Sequence, residues 1–222
     1  MTTDLAIYDM DKTVTRRPTY TPFLLHVALE RAPWRLALLP VVGLSLVAYG
    51  LKMVDRARLK EINHRLLIGK AVSERALEPH IATFAKKTLE NNLRPGAVKA
   101  IERDKAEGRM VVMATASYRF YAAAIGEALG FDHVIGTGTV GGVDDLIHAK
   151  IDGYNCYGAA KLTMIEEWLD KAGLTRAHVR FYSDHNSDAF AFEWSDEAVA
   201  VNPDDELIRI ASVRGYSVED WG

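Results

Sequence analysis

Asp9 and Asp11, two carboxylates in the run DMDKT, are the first residues of this chain whose types and spacing can do chemistry. Where a strand runs out into a loop, such a pair can address one bound ligand, one acid as nucleophile or metal ligand and the other as proton carrier. The plainer alternative is a turn closed by two acids, with Thr13 as a helix cap. Further on, Thr115, Ala116 and Ser117 follow an apolar run and precede a helical stretch. Hydroxyls and free backbone N–H groups there can hold a phosphate, or simply cap the helix. Lys161 falls in the first turn of a predicted helix, where the macrodipole disfavours a cation unless an anion lies close; a merely solvated lysine is the alternative. Ser183-Asp184-His185-Asn186-Ser187-Asp188 brings two more carboxylates to the end of another apolar run. Hard oxygen donors from separate strands suit Mg²⁺. No His/Cys set at ligand spacing accompanies His185, which is expected to be a loop or substrate-side residue.

These clusters need elements that bring them together. Leu5 to Asp9, Met110 to Ala114, Val179 to Tyr182 and Ala198 to Val201 read as strands, each with a polar cluster at its carboxyl end. Helical stretches over Pro95–Glu107, Tyr118–Leu129, Ala159–Ala172 and Ser187–Trp194 lie between them. The alternation predicts an α/β fold, a Rossmann-like parallel sheet covered on both faces, with its chemistry at the carboxyl ends of the strands. Between Asp11 and Pro95 the pattern turns to helical periodicity with few glycines and no convincing strand. The expected organisation is a catalytic core over 1–14 and 94–222 with an α-helical cap inserted over 15–93.

Within that insertion Leu36 to Leu51 carries no charge and is flanked by Arg31 and Arg35 on one side and Lys52, Arg56 and Arg58 on the other. A membrane span needs about 20 apolar residues; this run is shorter and contains Pro40, Gly43 and Gly50. A buried helical hairpin or cap core is the leading expectation. A membrane-surface or apolar-substrate face is the alternative, kept open by the basic flanks.

With 222 residues, 49% hydrophobic and 26% charged, the composition is that of a globular protein and excludes disordered, collagen-like and disulfide-scaffold chains. A net charge of -3 gives no electrostatic footprint for nucleic acid, so no nucleic-acid partner is expected. The single cysteine, Cys156, cannot form an internal disulfide, and MTTDLAIYDMD lacks the basic and apolar regions of a secretory signal. A cytoplasmic address is expected, with 36–51 as a candidate peripheral contact to the inner face of the membrane. Nothing in the sequence speaks to oligomeric state.

Taken in order, DxDxT at Asp9 to Thr13, Thr115 after a strand, a helical Lys161, and Asp184 with Asp188 resemble the four motifs of the haloacid dehalogenase superfamily. A helical insertion between the first and second motifs is similar to the cap of its phosphoserine-phosphatase-like branch, subfamily IB. The stretches ATASYRF, NCYGAAK, FYSDHNSD, AVAVNPDDEL and GYSVEDW resemble a bacterial group often called CicA-like. The resemblance covers the whole chain.

It implies a Mg²⁺-dependent phosphatase in which Asp9 is the nucleophile that forms an aspartyl-phosphate and Asp11 protonates the leaving alcohol. Asp9, Asp184 and the backbone carbonyl of Asp11 would hold the metal. Thr115 and Lys161 would clamp the phosphoryl oxygens, with Ala116, Ser117 and Arg16 as further phosphate or substrate contacts. Thr13 and Asp188 would support the site. Two departures matter. Ser183 and His185 flank Asp184 where many relatives have smaller residues, and Pro18 stands nine residues past Asp9 where phosphoserine phosphatases carry a Glu for the substrate ammonium. The first acid after Asp11 is Glu30. The substrate is therefore expected to be a phosphomonoester of an anionic or partly apolar kind, either a phosphoserine-like small molecule or a phospholipid head-group phosphate such as phosphatidylglycerol phosphate. The alternative is a phospho-accepting signalling or phosphotransfer protein that uses the same aspartate.

Overall fold

Leu5 to Tyr8 are wholly buried, which places β1 (Thr2–Tyr8) at the centre of the molecule. Its side chains alternate between two cores. Leu5 and Ile7 join Val112, Ile165 and Phe181 on one side, and Ala6 and Tyr8 join Phe23, Val111 and Tyr182 on the other. Apolar residues at every position, rather than every second one, mark a strand covered on both faces. The structure is a computed structural model and describes residues 2–141 and 145–222.

A turn over Met10–Val14 follows β1, with Lys12 in the left-handed region at φ 66°. Then come α1 (Tyr20–Arg31), a 3-10 segment over Pro33–Leu38, α2 (Leu39–Gly50), α3 (Arg56–Leu67), β2 (Ala71–Ser73) and α4 (Glu74–Asn91). The remainder alternates: α5 (Pro95–Ala106), β3 (Met110–Tyr118), α6 (Arg119–Ala128), β4 (His133–Gly141), β5 (Leu146–Asp152), α7 (Ala159–Lys171), β6 (Thr175–Ser183), α8 (Ala189–Trp194), β7 (Glu197–Val201), α9 (Asp205–Arg214) and β8 (Ser217–Glu219). Local chemistry sets several boundaries. Asp55 accepts a hydrogen bond from Arg58 N (2.7 Å) at the start of α3, and Asp204 accepts one from Leu207 N (2.8 Å) at the start of α9. Pro95 occupies the first position of α5, where its missing N–H costs nothing.

The sheet runs β2-β5-β4-β3-β1-β6-β7-β8. β1 pairs in parallel with β3 and β6, and the run from β4 to β8 across the centre is parallel, whereas β5 is antiparallel to β4 and β2 antiparallel to β5. The α/β, Rossmann-like expectation holds for the centre of the sheet, with an antiparallel extension at one edge. All four expected strands are present. β4 and β5 escape a search for apolar runs because glycines interrupt one (HVIGTGTVG) and charges the other (LIHAKID). β2 corrects the expectation that the stretch between Asp11 and Pro95 holds no strand: three residues too few to show a period pair Ala71, Val72 and Ser73 with His148, Ile147 and Leu146.

Helices α1 to α4 leave and rejoin the sheet at one stalk. Thr15 bridges Leu93, Arg16 N donates to Asn92 O (2.7 Å), and Arg94 N donates to Val14 O (3.0 Å). The run 36–51 is not a buried hairpin or cap core. Val42 and Ser45 are the buried residues of α2, Ser45 bonded to Asn63 on α3, and the 3-10 segment before it buries none. A helix apolar all round has no preferred face, and here α3 offers only one narrow side to cover it.

Candidate active site

The carboxyl ends of β1, β3 and β6 and the underside of α1 to α3 enclose a cavity of about 420 Å³. β1 delivers Asp9, whose N–H donates to Tyr182 O on β6 (2.9 Å) and so locks the two strand ends together. Asp184 lies one residue beyond β6, and the 3-10 turn after it carries Asp188. Gly158, at φ 62° and ψ -138°, a region L side chains avoid, turns the chain into α7 and sends Lys161 inward.

Lys161 Nζ donates to Asp9 Oδ1 (2.7 Å) and Asp188 Oδ2 (2.6 Å), and Ser183 Oγ donates to the same Asp188 oxygen (2.7 Å). All three charged side chains are buried. Burial works against the Lys161 ammonium, but the Asp188 and Asp9 carboxylates outweigh it and hold its pKa above that of a free lysine. Burial pushes the Asp9 carboxyl up, Lys161 pulls it back, and Asp188 and Asp184 push it further. Thr13 Oγ1 ties Asp9 to Asp184: it lies 3.4 Å from Asp9 Oδ2 and 3.2 Å from Asp184 Oδ1, and it accepts from Asp184 N (3.0 Å). Burial also raises the Asp184 carboxyl.

Asp11 faces the helices. Its Oδ1 accepts from Thr19 N (2.6 Å) and Thr19 Oγ1 (2.8 Å), and its Oδ2 accepts from Ser117 Oγ (2.6 Å). Ala116 and Ser117 reach the cavity wall because the β3–β4 register shifts between Thr115 and Tyr118.

Two expected contacts lie elsewhere. Thr115 is fully buried and is not part of the cavity wall; its Oγ1 accepts from Ser117 N (3.1 Å) and shapes the loop. Arg16 is exposed and outside the wall, with its Nε donating to Leu93 O (3.0 Å), because the stalk holds it on the far side of the turn. His185 lines the cavity and accepts from Ser187 N through Nδ1 (3.0 Å).

Thr19, Lys60, Arg56 and Tyr157 also belong to this site and carry no local motif. Lys60 Nζ donates to Asn155 Oδ1 (2.8 Å) and to Ala116 O, tying α3 to the loop after β3. Burial, and after it the nearby Arg56, pull this ammonium down to about 7. The Arg56 guanidinium stacks over Tyr157, 4.0 Å from the ring centre. One signal was available: Lys60 shares the buried stripe of α3 with Leu59, Asn63, His64 and Leu67, where an unpaired lysine is out of place.

The donor set suits a hard cation. Asp9, Asp184 and Asp188 outnumber the single Lys161 ammonium, and Asp188 Oδ1 is a buried carboxylate oxygen with no hydrogen-bond partner among the described residues. Oxygen-only ligands of this charge fit Mg²⁺ better than a transition metal. A second cluster, His26, Glu30 and His80, sits on α1 and α4, where Lys87 (3.4 Å) already supplies Glu30 with a cation.

A family profile described as haloacid dehalogenase-like hydrolase matches residues 6–193. Protein CicA of Caulobacter vibrioides is 29% identical over 215 residues, 96% of this chain and 86% of that one. Curated relatives at 34% identity are matched over little more than half of this chain, which spans less than half of their length. Among solved structures, a Bordetella pertussis protein described as of unknown function superposes with a TM-score of 0.89 at 24% identity, covering 100% of both chains. A phosphoserine phosphatase solved as a phospho-aspartyl intermediate analogue gives 0.61 at 15% identity, over 98% of this chain and 93% of that one, a likeness of fold.

Proposed function

The chain belongs to the haloacid dehalogenase-like hydrolases, and from that premise we propose that it is a Mg²⁺-dependent phosphatase that hydrolyses a phosphomonoester through an aspartyl-phosphate on Asp9. The observation that carries the reading is the Asp9–Lys161–Asp188 ion cluster at the strand ends, beside a second acid, Asp11, that hydrogen bonds orient. Asp9 and Asp184, with the backbone carbonyl of Asp11, would hold the metal, which would offset the repulsion between an anionic nucleophile and an anionic phosphate.

An Asp9 carboxylate oxygen forms the new bond to phosphorus as the ester P–O bond breaks, and the leaving oxygen takes its proton from Asp11. Asp11 then accepts a proton from a water whose oxygen attacks phosphorus, the Asp9–phosphorus bond breaks, and inorganic phosphate leaves with Asp9 restored. Lys161 fixes the attacking carboxylate and meets the charge that the transition state spreads over the phosphoryl oxygens. Ser117 and Thr19 keep Asp11 aimed. The helices over the cavity act as a cap that keeps bulk water from the intermediate.

The cap side of the wall argues against an amino-acid substrate. Pro18, Tyr20, Leu46, Tyr49, Arg56 and Lys60 line it, and no cap-side carboxylate lines it among the described residues. An ammonium would find no partner there; a second anionic group or an apolar one would.

Phosphate release in the presence of Mg²⁺, by wild type and Asp9→Asn, against phosphoserine, sugar phosphates, nucleotides and lipid phosphates tests the reading. Release from at least one class that disappears in Asp9→Asn is the expected result. Release that survives Asp9→Asn, or none from any class, overturns it.

A further inference from the structure

Helix α2 turns most of its apolar residues to solvent, while one edge of it walls the cavity that holds Asp9. Leu44 and Val47 are 68% and 58% exposed, and Trp34, Leu51 and Met53 continue the surface from either end at 65%, 67% and 74%. An apolar surface this continuous marks a place that something covers. The surrounding charge says what. From Arg31 to Val54 there is no Asp or Glu, whereas Arg31, Arg35 and Lys52 stand within the stretch; Arg56 and Arg58 follow it, the first over Tyr157 and the second paired with Glu61 (2.9 Å). A second copy of this chain would set those cations against their own images. An anionic bilayer complements them and takes up the apolar residues below its head groups. Leu46 and Tyr49, on the same helix, line the cavity that also holds Lys60 and Asp9.

We propose that α2 and the 3-10 segment before it lie in the surface of an anionic membrane, and that the phosphomonoester reaching Asp9 is a lipid head group passed in beside Leu46 and Tyr49. The substrate half rests on the phosphatase reading of the site; the docking half does not. By length and composition alone Pro33–Gly50 could cross a membrane. Its contacts tie it to α3 instead. Ser45 Oγ lies 2.8 Å from Asn63 Oδ1 on α3, and Arg31 and Arg35 donate to Ile68, Arg65 and Leu66 carbonyls at the end of that helix.

Flotation of the full chain with vesicles of phosphatidylcholine alone, and of phosphatidylcholine mixed with phosphatidylglycerol, reads the docking. Phosphate release from phosphatidic acid in vesicles, beside p-nitrophenyl phosphate in solution, reads the substrate. The chain is expected to float with the anionic vesicles only and less so as salt rises. Lys52→Ala should weaken that binding roughly fivefold. Leu44→Asp with Val47→Asp should leave the chain at the bottom of the gradient and remove release from vesicle-borne phosphatidic acid; should that variant unfold, Lys52→Ala on the exposed turn still carries the test. Absence of flotation with anionic vesicles overturns the inference, as does a wild-type dimer in gel filtration that the double variant converts to monomer, which would assign α2 to a second copy. A chain that hydrolyses p-nitrophenyl phosphate through Asp9 yet does not float keeps the phosphatase and loses the docking. One that floats yet hydrolyses nothing keeps the docking and loses the substrate.

Discussion

Lys161 Nζ and Asp188 Oδ2 are 2.6 Å apart in a pocket that buries both side chains, with Asp9 on the other side of the ammonium at 2.7 Å. One buried cation thus separates two carboxylates that would otherwise repel each other across low dielectric. That contact joins α7 to the 3-10 turn before α8 and fixes the side chain on which the proposed chemistry depends.

Lys161→Met removes the shared cation and should show two effects at once. Turnover should fall on the order of a hundredfold or more, the scale of losing a preorganised donor. Stability should fall by about 3–5 kcal/mol, because two carboxylates remain buried without a counter-charge. Urea denaturation of Lys161→Met and of Lys161→Met with Asp188→Asn separates the two: the second change should recover part of the stability and none of the rate.

Asp184→Asn should weaken Mg²⁺ binding by on the order of 10–100-fold, at least as much as loss of an outer-sphere partner costs. Calorimetric titration with MgCl₂ reads this without reference to turnover. Equal affinity in the two chains would remove Asp184 from the metal site.

Lys60 ties α3 to Ala116 and Asn155, and its ammonium is pulled down to about 7 by burial and by Arg56. The charge is present below that pH and lost above it. KM for an anionic substrate should therefore rise as pH climbs through 7, and Lys60→Met should flatten the KM profile more than the kcat profile. A wild-type KM that does not change across this range would take Lys60 out of substrate binding.

His64 is fully buried, and neither ring nitrogen has a hydrogen-bond partner among the described residues. Burial pulls its pKa from 6.5 down to about 4. Between those values the unfolded chain binds a proton that the folded chain refuses, so stability falls as pH drops from 6.5 to 4 and levels off below. The term is about 3 kcal/mol. Denaturation midpoints of wild type and His64→Leu should diverge across that window, the variant losing less; parallel curves would show that His64 does not titrate there.

The buried carboxylate of Asp104 accepts from Tyr182 (2.9 Å), from Tyr8 and from Arg180, beneath the strands that present Asp9 and Asp184. Asp104→Ala removes the acceptor of both phenols while Arg180 keeps Glu107 and Glu197, and should cost about 1–3 kcal/mol in urea denaturation. A loss below about 1 kcal/mol would mean that solvent reaches and satisfies those groups.

The acids and Lys161 were legible in the sequence because each sits at or beside the end of a regular element, where local pattern and position coincide. Asp9 follows four buried apolar residues, Asp184 follows Tyr182 and Ser183, and Lys161 stands in the first turn of α7. Thr115 follows the same pattern, yet it is buried beneath the loop, and the register shift after it brings Ala116 and Ser117 to the cavity wall. Lys60 and Arg56 enter from a helix more than forty residues away from the loops they meet, and nothing short-range encodes that approach; Thr19 lies eight residues past Asp11, in no motif of its own. The exposure of α2 was hidden too, because an unbroken apolar run says how much it avoids water and not what will cover it.

Thr19, the residue just before α1, holds one oxygen of Asp11 while Ser117 on the sheet side holds the other. Moving α1 would carry Thr19 away from Asp11 and leave that carboxylate held by Ser117 alone. If Asp11 carries the proton as proposed, its aim depends on where α1 sits, so the helix that walls the cavity also sets the acid inside it.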